Sequence, residues 1–183
     1  MSMPFFTESK MYAKHFPHKR YRITQEFVAK HLDSSETILD LGVDNPLSQR
    51  LRDMGYSVTN TQGEDLDFNR KGLNEHSTQA VTAFEILEHL LNPFSVLNEI
   101  QAPKLFLSVP LRLWFAPAYR HMTDPRDRHF HEFEAWQMRW LLEKTGWSII
   151  DEVQFTNPTR KLGIRPLLRL LTPRYLLIYA QKL

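Results

Sequence analysis

The sequence contains no cysteine. A chain without thiols cannot form a disulfide framework or use a thiolate nucleophile, and any metal it binds must be held by histidines and carboxylates. The sequence also lacks a run of the roughly 20 consecutive apolar residues that a membrane-spanning helix needs. Its first residues, MSMPFFTESKMYAKHF, have no long apolar core of the kind found in signal peptides. These absences predict a cytoplasmic protein.

An excess of charge of one sign is missing as well. Lysines and arginines number 23 against 21 acidic residues, which leaves a formal net charge of +2. So small a charge gives no reason to expect nucleic-acid binding, and no separate basic module is visible. Internal repeats and Gly/Ser-rich linkers are also absent, and 183 residues is a normal length for one domain. We therefore expect a single domain over residues 1–183, with residues 1–19 as an aromatic and basic N-terminal arm.

Segments with the periodicity of strands alternate along the chain with segments that have the periodicity of helices. Asn45-Pro46 and Asn92-Pro93 each predict a helix start, in which asparagine is the N-cap and proline the first helical residue. This alternation predicts a three-layer α/β fold with a mostly parallel sheet. The predicted strands are 37–41, 56–61, 81–84, 104–109, 147–155 and 175–180, and the predicted helices are 21–32, 46–54, one that starts at Pro93, and 132–145.

Two further predictions follow from this pattern. In an open α/β sheet the ligand lies beyond the carboxyl ends of the strands, which places it near Gly42, Thr61 and Phe84. In the helix over 132–145, Phe133, Trp136, Trp140 and Leu141 share one face, which predicts that the two tryptophans belong to the core.

Five segments of the chain resemble the class I S-adenosylmethionine-dependent methyltransferases, and in particular their small type 11/23-like domains. The resemblance spans about residues 20–183 and implies a Rossmann-like three-layer sandwich with an antiparallel last strand and S-adenosyl-L-methionine as the cofactor. The segments are TILDLG at 37–42, AFEILEHLLNPFSVLNEI at 83–100, KLFLSVP at 104–110, HFHEFEAWQMRWLLEKTGWSII at 129–150 and RYLLIYAQK at 174–182.

The resemblance assigns the cofactor contacts to residues at the strand ends. Asp40 would hold the methionine ammonium, although it is equally suited to a structural role in which it caps local N–H groups. Gly42 would let the backbone approach the ligand closely. Asp44 and Pro46 stand where the family's D-x-G-x-G-x-G turn has its second and third glycines, so this turn departs from the pattern. The family's ribose-binding acid is replaced by Thr61, with Asp65 or Glu64 nearby to take over its role. The other cofactor contacts that the resemblance implies are Phe84, Glu85 and His89.

Histidines in the loop before the last predicted helix are candidates for catalysis. A neutral imidazole suits a general base that takes the proton of a substrate hydroxyl, and His129 and His131 enter the expected substrate side of the cleft. Their alternative role is to fix the helix that follows. His121 and Asp124 extend the same loop, but the spacing is loose and lacks a firm third ligand, so we expect no metal site.

The predicted activity is therefore methyl transfer from S-adenosylmethionine to a small-molecule or glycan-type acceptor, with oxygen favoured over nitrogen as the nucleophile. The altered turn also favours an alternative, a methyltransferase-like domain that no longer catalyses and instead binds a partner or a nucleoside. A histidine-based metal hydrolase is a third and more distant interpretation. The basic, amphipathic segment 162–174 predicts a helix packed on the sheet or, alternatively, peripheral contact with an anionic membrane.

Overall fold

The computed structural model describes residues 18–74, 77–157 and 163–183. Six strands form one sheet in the order β2-β1-β3-β4-β6-β5. The strands are β1 (Thr37–Asp40), β2 (Ser57–Asn60), β3 (Ala80–Phe84), β4 (Lys104–Pro110), β5 (Trp147–Phe155) and β6 (Tyr175–Lys182). The helices are α1 (His18–His31), α2 (Pro46–Asp53), α3 (Pro93–Glu99), α4 (Ala135–Lys144) and α5 (Ile164–Leu171), with short 3₁₀ turns at Lys71–Asn74, Leu87–His89 and Pro125–Asp127.

The directions of the strands confirm the predicted sheet. β1 pairs in parallel with β2 and β3, and β3 pairs in parallel with β4. β6 is antiparallel to both of its neighbours, β4 and β5. The sheet is therefore mostly parallel with an antiparallel last strand, and the carboxyl ends of β1 to β4 lie along one edge.

Alternate residues of each strand point to opposite faces of the sheet, which creates two cores. In β4, Leu105 and Leu107 pack on one face with residues of α3 and α4, whereas Phe106 packs on the other face with residues of α1 and α2. Helices thus cover both faces, and the three-layer sandwich is confirmed.

Two predictions about helix faces are wrong. In α4 the buried residues are Met138 and Leu142, while Trp136 and Trp140 are exposed and pack edge to face against each other with their centroids 4.8 Å apart. None of the residues of α5 is buried, so this helix does not pack into the sheet as the sequence suggested.

The ends of the chain bear on two other predictions. Of the predicted N-terminal arm, residues 1–17 lie outside the described residues, and His18 and Lys19 begin α1. Among the described residues, no helix is both long enough and apolar enough to cross a membrane.

Candidate functional site

The carboxyl ends of β1, β2 and β3 meet at the predicted position. The backbone N–H of Gly42 donates to Thr61 Oγ1 at 2.7 Å, and that of Leu41 donates to Thr82 O. Gly42 has φ +107°, a conformation that glycine adopts easily. A Cβ atom added there would lie 3.5 Å from Ile86 Cδ1, so the side chain after β3 faces the bare backbone after β1. The structure therefore brings Gly42, Thr61 and the end of β3 together.

Asp40 is the centre of a buried hydrogen-bond network beneath this turn. Its side chain is 4% exposed and accepts hydrogen bonds from the hydroxyls of Thr82 and Ser48 and from the amides of Asn45 and Asn60. Burial raises the pKa of Asp40, and the four hydrogen bonds act in the opposite direction. This arrangement supports the structural role for the carboxylate. Its predicted contact with the cofactor stays a prediction.

The altered turn is well formed. Asn45 caps α2 by accepting hydrogen bonds from the N–H groups of Leu47 and Ser48, and Pro46 is the first helical residue, as predicted. The side chain of Asp44 is 66% exposed and forms an ion pair with Arg52, in the last turn of α2. The carboxylate of Asp44 is thus paired with the helix that follows the turn.

The residues after β2 fit the cofactor only in part. Thr61 is buried, and its hydroxyl is engaged by Gly42. Asp65 is an exposed turn residue whose Oδ1 accepts from the N–H of Asp67, and Glu64 accepts from the N–H of Gln62. Glu64 and Asp65 thus lie beyond β2 with carboxylates that accept backbone N–H groups, and their contact with ribose hydroxyls stays a prediction. Of the family's three glycines in the turn, only Gly42 is present.

A second polar group surrounds Glu85, immediately after β3. Its φ is +57°, the only positive φ of a non-glycine residue in the described part of the chain, and such backbone strain often occurs at functional sites. The Glu85 carboxylate accepts from Ser108 Oγ at 2.9 Å and forms a 2.6 Å ion pair with Arg20 of α1. The guanidinium of Arg20 also lies 5.3 Å from the ring centroid of Tyr175.

Arg20 and Tyr175 were not predicted to belong to the site. They lie 65 and 90 residues from Glu85 in the sequence, and no motif connects them to it. Their aromatic and basic side chains gave no signal that would separate them from other surface residues of the same type. Phe84, the last residue of β3, is partly buried and packs toward the α1–α2 face of the sheet.

The predicted catalytic histidines lie beside the 3₁₀ turn that follows β3. The N–H groups of Phe130 and His131 both donate to the backbone oxygen of Glu88. The ring of His129 lies against that of His89, with centroids 4.7 Å apart, and burial lowers the pKa of His129 to about 4. His131 stacks on Phe133, and its Nε2 donates to Leu91 O at 3.3 Å. The structure thus brings His89, His129 and His131 to one place.

A cavity of about 780 Å³ opens beyond the carboxyl end of β4. Its wall combines apolar side chains of the segment after β4 with arginines of α5 and of the start of β6. Four arginines and one glutamate line it, so that its net charge is positive. The polar lining residues are Arg120, Glu132, Arg165, Arg169 and Arg174, and the aromatic ones are Phe115 and Tyr119.

Known proteins share both the sequence pattern and the fold. A sequence profile of the Methyltransferase domain family matches residues 12–152. The 1,6-didemethyltoxoflavin-N1-methyltransferase of Burkholderia thailandensis, solved with its substrate and S-adenosylhomocysteine, is 14% identical, with a TM-score of 0.62 over 100% of this chain and 93% of that chain. The magnesium protoporphyrin IX methyltransferase of Synechocystis PCC 6803, solved with S-adenosylhomocysteine, is 11% identical, with a TM-score of 0.58 over 100% and 90%.

The same fold also supports other chemistry. The [4+2]-cyclase SpnF is 16% identical, with a TM-score of 0.55 over 88% of this chain and 80% of that chain. Identities this low show likeness of fold alone, and no curated protein sequence gives a significant match. The profile match covers well over half of the residues. The chain therefore belongs to the methyltransferase domain family, as its resemblance to the class I S-adenosylmethionine-dependent methyltransferases predicted.

Proposed function

We propose that this protein transfers a methyl group from S-adenosylmethionine to an oxygen atom of an anionic small molecule, of which a glycan-type acid is one example. The cofactor follows from the family and from solved neighbours that hold its demethylated product. The observation that carries the acceptor class is the 780 Å³ cavity with its four arginines. Its volume is in the range of small-molecule sites, and guanidinium groups recognise carboxylates and phosphates.

The cofactor would lie across the ends of β1, β2 and β3. Gly42 leaves room for the close approach of the ligand, and Glu64 and Asp65 supply acceptors for the ribose hydroxyls. Bound S-adenosylmethionine supplies an electrophilic methyl group. What the protein adds is position, because the acceptor oxygen must lie in line with the methyl–sulfur bond at roughly 3–3.5 Å. The loop 111–131, which lines the cavity, and the strained end of β3 are the elements that hold the acceptor there.

His131 is the better placed of the two predicted bases. Its Nε2 donates to the carbonyl oxygen of Leu91, so the proton resides on Nε2 and the lone pair of Nδ1 is available to accept one. Burial lowers the pKa of His129 to about 4, which makes this ring a weak proton acceptor. We therefore assign the base to His131 and leave His129 for another role.

Calorimetric titration with S-adenosylmethionine and S-adenosylhomocysteine tests the proposal. We expect both to bind, followed by methylation of acidic hydroxyl compounds from a small-molecule panel, detected as S-adenosylhomocysteine formation. Arg169→Gln should raise the KM for the acceptor and leave cofactor affinity unchanged, because Arg169 lines the cavity. If neither nucleoside binds at millimolar concentration, the protein is a non-catalytic domain of this fold instead.

The exposed face of α5 supports a second proposal, peripheral contact with an anionic membrane. Ile164, Leu167 and Leu171 are 79%, 57% and 76% exposed, on the same short helix as Arg165 and Arg169. Apolar side chains beside arginines suit the headgroup region of anionic lipids. Co-sedimentation with phosphatidylglycerol vesicles should be lost in Leu167→Glu. Equal sedimentation of this variant and the wild type would rule the contact out.

A further inference from the structure

Three side chains at the carboxyl edge of the sheet form a compact group. Glu88 and His89 come from the 3₁₀ turn after β3, and His129 comes from the loop after β4. One side-chain nitrogen or oxygen from each lies within 4.8 Å of the others. The group follows β3 and β4 rather than β1 and β2, and Arg174 of the cavity lies near enough to act on both Glu88 and His129.

The carboxylate of Glu88 is buried, and one of its two oxygens is unsatisfied in the described part of the chain. Its side chain is 1% exposed, and Oε2 has no hydrogen-bond partner among the described residues. The other oxygen, Oε1, is 3.9 Å from His89 Nε2, which is too far for a hydrogen bond. A buried carboxylate oxygen without a partner costs folding free energy, and a ligand bound at Oε2 would offset that cost.

The imidazole rings of His89 and His129 lie close together, and a backbone hydrogen bond orients the ring of His89. His89 Nδ1 lies 3.1 Å from the backbone oxygen of Arg128, and because a carbonyl only accepts, the proton is on Nδ1. The lone pair of His89 is therefore on Nε2, the atom that faces Glu88. This is the usual support of a metal-binding histidine, whose second nitrogen donates to a backbone carbonyl. The ring of His129 lies against that of His89, with centroids 4.7 Å apart.

From this geometry we infer that Glu88, His89 and His129 bind a divalent transition-metal ion of the zinc type, with a fourth coordination position open. Two histidines and one glutamate are a ligand set of catalytic zinc sites, whereas magnesium and calcium prefer oxygen ligands alone. A tetrahedral zinc ion holds its ligand atoms about 3.4 Å apart. The present atoms lie at most 4.8 Å apart, so the widest separation would have to shorten by about 1.4 Å around a bound ion.

Charged groups of both signs surround Glu88 and affect how strongly the group would bind a cation. Glu85 places negative charge near Glu88, and Arg20 and Arg174 place positive charge near it. A bound dication would neutralise the Glu88 carboxylate at short range, and the charge of Arg174 would reduce the affinity. Asp127 is the further acidic group that acts on His129.

The sequence predicted no metal site, because the spacing of His121, Asp124, His129 and His131 is loose and lacks a firm third ligand. The structure supplies the missing partners from the turn at 88–89, 40 residues earlier in the chain. The open position would take an oxygen of the acceptor and make its proton easier to remove. This role in the reaction rests on the proposed function, whereas metal binding does not.

The test is calorimetric titration of metal-free full-length protein with zinc chloride, with magnesium chloride as the comparison. We expect one zinc equivalent to bind more tightly than magnesium. Glu88→Gln and His129→Ala should each weaken zinc affinity by about 100-fold or more, since each removes a ligand. The matched control is His131→Ala, which removes a histidine of the same loop outside the group and should change zinc affinity by less than about threefold.

The same variants distinguish a loss of zinc binding from unfolding and from a loss of cofactor binding. Thermal melting monitored by circular dichroism shows whether each variant is folded, and His129→Ala truncates a partly exposed side chain that the core does not require. Titration with S-adenosylhomocysteine tests the cofactor site separately, and Glu88→Gln should leave that affinity unchanged. The inference is overturned if zinc does not bind, or if it binds the wild type and both ligand variants equally, as it would at scattered surface histidines.

Discussion

Replacement of Asp40 by alanine is the most informative single perturbation of the turn. It removes a carboxylate that accepts hydrogen bonds from Thr82 and Ser48, whose side chains are both 0% exposed, and from two partly exposed asparagines. Each buried hydroxyl left without an acceptor costs about 1–3 kcal/mol. The two asparagine amides can form hydrogen bonds with water instead. Removal of the buried carboxylate also removes its desolvation free energy, which offsets part of the loss in stability.

We therefore expect Asp40→Ala to lower the free energy of unfolding by about 3 kcal/mol. For a domain of this size that corresponds to a fall in Tm of about 6–12 °C. Urea denaturation monitored by circular dichroism gives the free energy, and differential scanning calorimetry gives the Tm. In protein that remains folded, a direct contact with the cofactor ammonium would also weaken S-adenosylmethionine binding by about 1–3 kcal/mol.

Thr82→Val is the matched control because it removes one hydroxyl and keeps the carboxylate, at a cost of about 1 kcal/mol. The double variant Asp40→Ala/Thr82→Val should cost less than the sum of the two single variants, since no Thr82 hydroxyl is then left unpaired. A loss below about 1 kcal/mol in Asp40→Ala, or strict additivity in the double variant, would refute the proposed network.

Three other predictions concern the turn, the base and pH. We expect the wild type to bind S-adenosylmethionine with a Kd on the order of 10 μM to 1 mM, and Asp44→Gly/Pro46→Gly to bind it more tightly by calorimetry while melting at a lower temperature, because glycine enlarges the entropy of the unfolded chain. His131→Ala should lower kcat at least about tenfold with cofactor affinity intact; an equal loss of affinity would place His131 in the cofactor site or the fold. Burial raises the pKa of Asp40 in the folded chain, so ionisation of this carboxyl group opposes folding. The free energy of unfolding should therefore fall as the pH rises from about 3.9 through the raised pKa. Urea denaturation across that range should show this decline in the wild type and not in Asp40→Asn, and parallel curves would contradict it.

Most of the fold was predictable from the sequence because buried strands and capped helices leave local signals. Asn45 and Pro46 mark the start of α2 by residue type alone, and the structure confirms both roles. The face that a helix turns toward the sheet is a different matter. In α4 the pair Trp136 and Trp140 and the pair Met138 and Leu142 have the same spacing, and only packing against the sheet decides that the second pair is buried.

The candidate site was predictable only where chain neighbours form it. Gly42 and Thr61 follow their strands directly, and parallel strands bring their ends together. The burial of Glu88 was not predictable, since a carboxylate in a sequence suggests exposure and nothing local shows that this one is buried. The ion pair of Arg20 with Glu85 joins a helix to a strand end across 65 residues, a distance over which periodicity carries no information.

The position of β6 inside the sheet determines the order in which the chain can fold. β5 is an edge strand whose neighbour in the sheet is β6, and β6 also completes the second edge of β4. During synthesis β5 therefore leaves the ribosome before the strand that it pairs with, and its backbone hydrogen bonds form only after about 20 more residues. Pairing of β4 with β6 spans about 70 residues, and such distant contacts slow folding. The nascent chain thus exposes the unpaired edge of β4, whose residues Leu105 to Val109 are at most 2% exposed in the folded chain, until synthesis has passed Tyr175.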